Sequence, residues 1–288
     1  MSGISAETVV KLRKMSGQGM MDCKKALEEA NGDIEQAMDI LRKKGLATLA
    51  KRAARETTEG LVVGKSTPDG RTAAMATLCC ETDFVAKSQD FVSAAERLAE
   101  AALACPAEQG LDNILATPIG ERKLDDIVTE TVSKTGEKIQ VGDYAKYSLK
   151  GPGLIRTYIH FNEKVGTMIE IETGDQATAT SDSLKRTASD IAMHITATKP
   201  LALNRDQIDP KTIEREKAIF ADQVKNKPAN MIGKIVEGKM QKFYAENCLL
   251  QQAFVKDDTK SVEQVLKEAA KEAGGQARIT RFVRFEVG

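Results

Sequence analysis

From Thr72 to Cys80 the chain is apolar apart from two threonines, the pattern of a strand buried on both faces. Ser88 opens a different period. Phe91, Ala94, Ala95, Leu98 and Ala102 recur on one side of a helix reaching about Ala104, and Ala104-Cys105-Pro106 ends it because the residue before proline is pushed out of the α region. Upstream, Leu61-Val62-Val63-Gly64, a Pro68-Asp69-Gly70 turn and the 72–80 run predict a β-hairpin. Thr82-Asp83-Phe84-Val85 thus falls on the connection between strand and helix, where a rigid scaffold can offer a side chain to a partner.

Three short helices are predicted before this. Ala6 to Lys14 carries Val9, Val10 and Leu12 and is interrupted by Ser16-Gly17-Gln18-Gly19; Met20 to Ala30 carries Cys23, Ala26 and Leu27 and stops at Asn31-Gly32. Asp33, with Gln36 three residues on, opens Ile34 to Lys44, whose stripe is Ile34, Ala37, Met38 and Leu41, and Gly45 closes it. By size and layout this is a UBA-like (ubiquitin-associated-type) three-helix bundle, a partner-binding unit more often than a catalytic one. Arg42, Lys43, Lys44, Lys51, Arg52 and Arg55 follow with no acid among them, which fits an acidic partner or a solvated linker with cations at a helix C-terminus.

Downstream, 107–136 reads as a polar, helix-prone connection. Ile139 to Leu149, Lys150-Gly151-Pro152-Gly153 and Leu154 to Phe161 alternate like a hairpin, and Val165 to Thr173 is a further strand. Asp209-Pro210 starts a helix with Ile213, Phe220 and Val224 along one stripe; Lys227-Pro228 breaks it, and Ile232, Val236, Met240 and Phe243 mark a second. These make an antiparallel helical hairpin that either projects or lies flat on the body. A helix from Ser261 to about Ala273 and a strand from Arg278 to Val287 complete the chain.

A shift of 93 residues superimposes Met75 on Met168, Ser88 on Ser181, Phe91 on Leu184 and Leu98 on Ile191, as in two related subdomains. The same shift lays Thr82-Asp83-Phe84-Val85 on Asp175-Gln176-Ala177-Thr178. A ring that filled an equivalent core hole would have a large counterpart, and Phe84 has alanine. The expected fold is therefore α+β: a bundle over 1–45, a basic linker over 46–60, a first core subdomain over 61–150 carrying the 82–85 loop, and a second over 151–288. Both core subdomains have antiparallel sheets, and the hairpin is inserted at about 209–247.

Composition narrows the function classes. The 288 residues carry 42 Lys+Arg against 42 Asp+Glu, so no global field favours nucleic acid or an anionic membrane. The start shows no signal-peptide pattern, which makes the cytoplasm the expected location. Five cysteines without CxxC spacing point to reduced thiols rather than a disulfide framework or a zinc site. His160 and His194, the only histidines, show no metal-ligand spacing, and no phosphate-cradling glycine motif is present. No metal, cofactor or catalytic constellation is expected; the chain reads as a binding protein.

Leu12 to Leu27 (LRKMSGQGMMDCKKAL), Asn31-Gly32-Asp33, Thr82 to Lys87 (TDFVAK), Ala192-Met193-His194 with Lys199-Pro200, Val236-Glu237-Gly238 with Lys242-Phe243, and the Arg284-Phe285-Glu286-Val287-Gly288 ending together resemble the bacterial elongation factor Ts family over nearly the whole length. The resemblance implies a guanine nucleotide exchange factor for elongation factor Tu, met in its GDP-bound and nucleotide-free states. Phe84 would wedge into the G domain and Asp83 would disturb its Mg²⁺ and phosphate loop, with Thr82 and Val85 shaping the loop. Arg13, Met20 and Met21 match positions by which the bundle grips another helix of that domain. His160, Met193 and His194 match positions of a second-subdomain contact. A homodimer or 2:2 assembly is compatible with this. The ending at Gly288 departs from some relatives, which carry a short helical extension beyond it. Two rival readings are a UBA-type adaptor without exchange activity and a thiol enzyme using Cys79 or Cys80 with a histidine.

Overall fold

The computed structural model describes residues 4–288. The chain begins with α1 (Ala6–Ser16), α2 (Met20–Glu29) and α3 (Ile34–Lys51). Ser5 caps α1 by accepting from the Thr8 N–H, and Gly17, at φ 67°, ends it with its N–H on the Arg13 carbonyl. Asn31 and Gly32, both at positive φ, reverse the chain before α3, as the Asn-Gly signal predicts. Val9, Leu12, Cys23, Ala26, Leu27, Ala37 and Leu41 form the small core.

Gly45 does not end α3, which runs on to Lys51. A Cβ at Gly45 would stand 2.7 Å from the Thr129 carbonyl oxygen, so glycine serves a close helix crossing there, not a stop. Residues 46–51 of the expected basic linker are therefore helical, and four cations of the 42–55 run are paired within the chain: Arg42 with Asp126, Lys44 with Asp22, and Arg52 and Arg55 with Glu81.

Next come β1 (Glu59–Ser66), β2 (Thr72–Cys80), α4 (Asp83–Ala86), α5 (Gln89–Ala104), α6 (Leu111–Leu115), β3 (Pro118–Ile119), β4 (Arg122–Lys123) and α7 (Leu124–Thr135). They are followed by β5 (Gln140–Ser148), β6 (Gly153–Ile159), β7 (Val165–Thr173), α8 (Gln176–Thr180) and α9 (Asp182–Thr198). The last elements are α10 (Pro210–Gln223), α11 (Ala229–Asn247), β8 (Ala253–Phe254), β9 (Asp257–Ser261), α12 (Val262–Glu272) and β10 (Ala277–Glu286).

Two antiparallel sheets, ordered β1-β2-β5 and β10-β7-β6, carry the body. They stack through Val62, Ala73, Met75, Ala145, Tyr147, Ile155, Met168 and Val287. On the outer side of β2, Ala74, Ala76, Leu78 and Cys80 pack with Phe91, Leu98, Leu124 and Val132; on the outer side of β7, Ile169 and Ile171 pack with Leu184, Ile191 and Leu266. The layers run helix, sheet, sheet, helix. β2 and β7 are each the central strand of a sheet buried on both faces, hence their unbroken apolar runs.

Two further expectations change. Ile139 to Leu149 and Leu154 to Phe161 are not a hairpin: β5 pairs with β2, Met75 opposite Ala145, while β6 pairs with β7. Lys150 to Gly153 carries the chain from one sheet to the other. The 107–136 connection contains α7, whose buried Leu124, Val128 and Val132 make it part of the first core, against α3 and α5. The 93-residue repeat appears as β2-α4-α5 and β7-α8-α9, with Thr82 and Asp175 as equivalent caps. In the hairpin, Ile213 and Phe220 of α10 are partly buried against Met240, Tyr244 and Cys248, which anchor the base of α11 on Ala202 and Ile208. No helix among the described residues is long and apolar enough to cross a membrane.

Candidate functional site

The β2-to-α5 connection is held at its base by two carboxylates. Glu81 accepts from the Lys138 N–H and from Arg52 through one oxygen and from Arg55 through the other, each at 2.7 Å. Burial pushes its pKa up, but the Lys138 N–H and the two guanidiniums outweigh that and hold it at about 2. Glu137, just after the left-handed Gly136 that ends α7, accepts from both the N–H (3.0 Å) and the hydroxyl (2.7 Å) of Thr82. The Thr82 hydroxyl oxygen in turn accepts the Val85 N–H and caps α4. Ala86 is buried and Val85 packs on the first core, while the Ser88 hydroxyl donates to the Val85 carbonyl.

Helical spacing settles the direction of what remains. With Val85 and Ala86 turned inward, Phe84 stands away from the body and is 83% exposed. Asp83 pairs with Lys87 one turn on, at 2.7 Å, and this bond holds its carboxyl below the usual range. A stiff one-turn helix therefore presents a ring beside a permanent anion. The equivalent turn in the second half presents the exposed Ala177.

On the bundle, Arg13, Met20 and Met21 are exposed, with Met15 beside them in sequence also exposed. The chain leaving α3 connects the bundle to the loop through the Arg52 and Arg55 pairs with Glu81. In the second half, His160 is partly exposed, its Nδ1 lying 2.9 Å from the Tyr158 hydroxyl, and Met193 is partly buried. His194, expected beside Met193 at a partner contact, is wholly enclosed. Its Nδ1 accepts the Val255 N–H and its Nε2 lies 2.9 Å from the Gln252 side-chain oxygen. Burial lowers its pKa, so it is a neutral core histidine with no surface to offer.

Neither Glu137 nor the pairing of Arg52 and Arg55 with Glu81 has a place in a site read from sequence alone. The unpaired basic run offered a signal for the arginines; nothing near Glu137 marks it as a ligand of Thr82, 55 residues away. Among the described residues no group of three or more His, Cys, Asp or Glu could hold a metal ion. Cys80 is buried and its thiol is pushed up to about 12 by burial and then by the Glu137 carboxylate.

The family model described as Elongation factor TS matches residues 81–288, a span that starts at the base of this loop. The chain belongs to the elongation factor Ts family. Its relatives extend the likeness to the bundle: Elongation factor Ts of a Nitratiruptor species is 42% identical over 287 residues, covering 99% of this chain and 93% of the relative. Elongation factor Ts of Lawsonia intracellularis is 40% identical over 291 residues, covering 99% of both chains. That of Clostridium botulinum (strain Alaska E43 / Type E3) is 39% identical over 287 residues, covering 99% and 93%. As a member of the elongation factor Ts family, the chain is a translation elongation factor, the nucleotide exchange factor for elongation factor Tu.

Proposed function

We propose that the chain releases GDP by placing Phe84 and Asp83 against the G domain of elongation factor Tu, where the ring wedges between elements and the anion disturbs Mg²⁺ and phosphate-loop contacts. The observation that carries this is an 83% exposed Phe84 on a turn clamped from below. Burying a free phenyl group at a contact contributes about 2 kcal/mol, and a pre-formed turn loses little conformational freedom on docking. Only the part of this energy gained with nucleotide-free and not with loaded partner drives exchange. By linkage, a factor that prefers the empty G domain weakens GDP binding by the same ratio. Mg²⁺ is the largest local charge holding the phosphates, and Asp83 competes for that field.

Arg13, Met20 and Met21 serve as a second grip from the bundle, and His160 with Met193 as a contact from the second half. The site of action is the cytoplasm, and a homodimer or 2:2 assembly is compatible with these surfaces. Cys80, near 12, is not a thiolate at neutral pH, which argues against a thiol enzyme. The test is release of fluorescent GDP from preformed elongation factor Tu·GDP. The chain is expected to accelerate it at catalytic concentration; binding without acceleration would instead favour the adaptor reading.

A further inference from the structure

Among the described residues the most exposed large apolar side chain is not Phe84 but Phe161, at 88% against 83%. It stands at the tip of the β6–β7 turn, and hydrogen bonds brace that turn. His160 N–H bonds to the Val165 carbonyl and Glu163 N–H to the His160 carbonyl, at 2.9 and 2.8 Å. The Asn162 side chain accepts the Lys164 N–H at 3.1 Å. Glu163 adopts φ 56° without being glycine, a conformation that surrounding bonds must hold. His160 lies against one side of the Phe161 ring at 4.4 Å between centroids and is itself braced by Tyr158. The ring is mounted, and much of it faces solvent.

This turn and the 82–85 loop hang from the same stretch of β1. Glu59 lies opposite Cys80, at the exit to Thr82, and the Val62 N–H bonds to the Glu163 carbonyl at 2.6 Å. The two attachment points are three residues apart, about 10 Å along a strand. Lys164 reaches back to Glu59 at 2.6 Å. Two outward aromatic rings, each with its turn fixed by bonds, thus share one support.

We propose that Phe161 is a second aromatic anchor for elongation factor Tu, continuous with the Phe84 surface, that supplies affinity without driving release. This rests on the exchange reading above. The difference between the rings lies in their neighbours. Phe84 has Asp83 beside it, a charge that distinguishes a Mg²⁺-loaded site from an empty one, whereas Phe161 has the imidazole of His160 and the Glu59-paired Lys164. A contact made equally in loaded and empty partner shifts no equilibrium between them, however strong it is.

Phe161→Ala is expected to raise the half-saturating concentration of the factor in GDP release about tenfold, the loss typical of an aromatic anchor, with the maximal rate unchanged. Phe161→Leu should lie between. An exposed ring contributes little to the fold, so thermal midpoints should match the parent. An unchanged half-saturation overturns the proposal, and so does a maximal rate that falls with it. A change in the light-scattering mass of the free chain would make the occupant a second copy instead, and would also overturn it. Calorimetric titration onto elongation factor Tu separates the two readings: if the parent binds without accelerating release, the exchange mechanism fails, while about tenfold weaker binding by Phe161→Ala still upholds the anchor and equal binding refutes it.

Discussion

Glu137 fixes Thr82, Thr82 caps Val85, and the one-turn helix that results leaves Phe84 only the outward direction. Replacing Glu137 by Ala strips the Thr82 N–H and hydroxyl of their acceptor. Two polar groups left without partners cost about 1–3 kcal/mol, so the urea midpoint should fall and GDP release should slow as the loop loosens. A variant with parental stability and rate would show that α4 holds itself. Glu81 adds a pH dependence. Its folded pKa of about 2 lies below the ordinary 4.5, so between those values the unfolded chain binds more protons. Its stabilisation is complete above pH 4.5 and is lost as pH falls toward 2. Glu286, held at about 2 first by Arg284 and then by Lys199, acts in the same window. Glu81→Gln should be less stable at pH 7 and show a shallower loss of unfolding free energy from about pH 4.5 to 2; an unchanged slope would refute the assignment. The acid and the ring were legible because the repeat shows their twin positions lacking them. Their supports were not, because Glu137 and the two arginines reach the loop only through tertiary packing.

At the scale of elements, local periods located the helices and strands, whereas pairing escaped them. Lys150-Gly151-Pro152-Gly153 has the chemistry of a hairpin turn, yet here it joins two stacked sheets, and nothing local tells β5 to choose β2 over β6. Gly45 misled for a related reason: glycine both stops helices and permits close crossings, and only the position of Thr129 decides between them. Gly45→Ala tests this. Alanine gains up to about 1 kcal/mol in helix propensity, but its Cβ would meet a backbone carbonyl at 2.7 Å, and such overpacking costs about 1–3 kcal/mol. The thermal midpoint should therefore fall by several degrees; a midpoint equal to or above the parental value would show that α3 and α7 separate freely.

In the whole molecule, the bundle, the first sheet and the second sheet meet around the base of one loop. α3 and the residues after it deliver Arg52 and Arg55 to Glu81, α7 delivers Glu137, and β1 links the 82–85 loop to the β6–β7 turn. Membership of the elongation factor Ts family was legible from the TDFVAK stretch and the motifs that accompany it. The layered stack and the burial of His194 were not, because a one-dimensional pattern does not say which face of α9 meets Gln252. The most direct test of the account is the maximal rate of GDP release from elongation factor Tu at saturating factor, compared between the parent and Phe84→Ala, with circular dichroism and thermal midpoints as controls for folding. The account predicts a folded variant whose maximal rate is lower by a factor of ten or more, equivalent to at least about 1.4 kcal/mol of lost transition-state stabilisation for GDP release. A folded variant that reaches the parental maximal rate would contradict it.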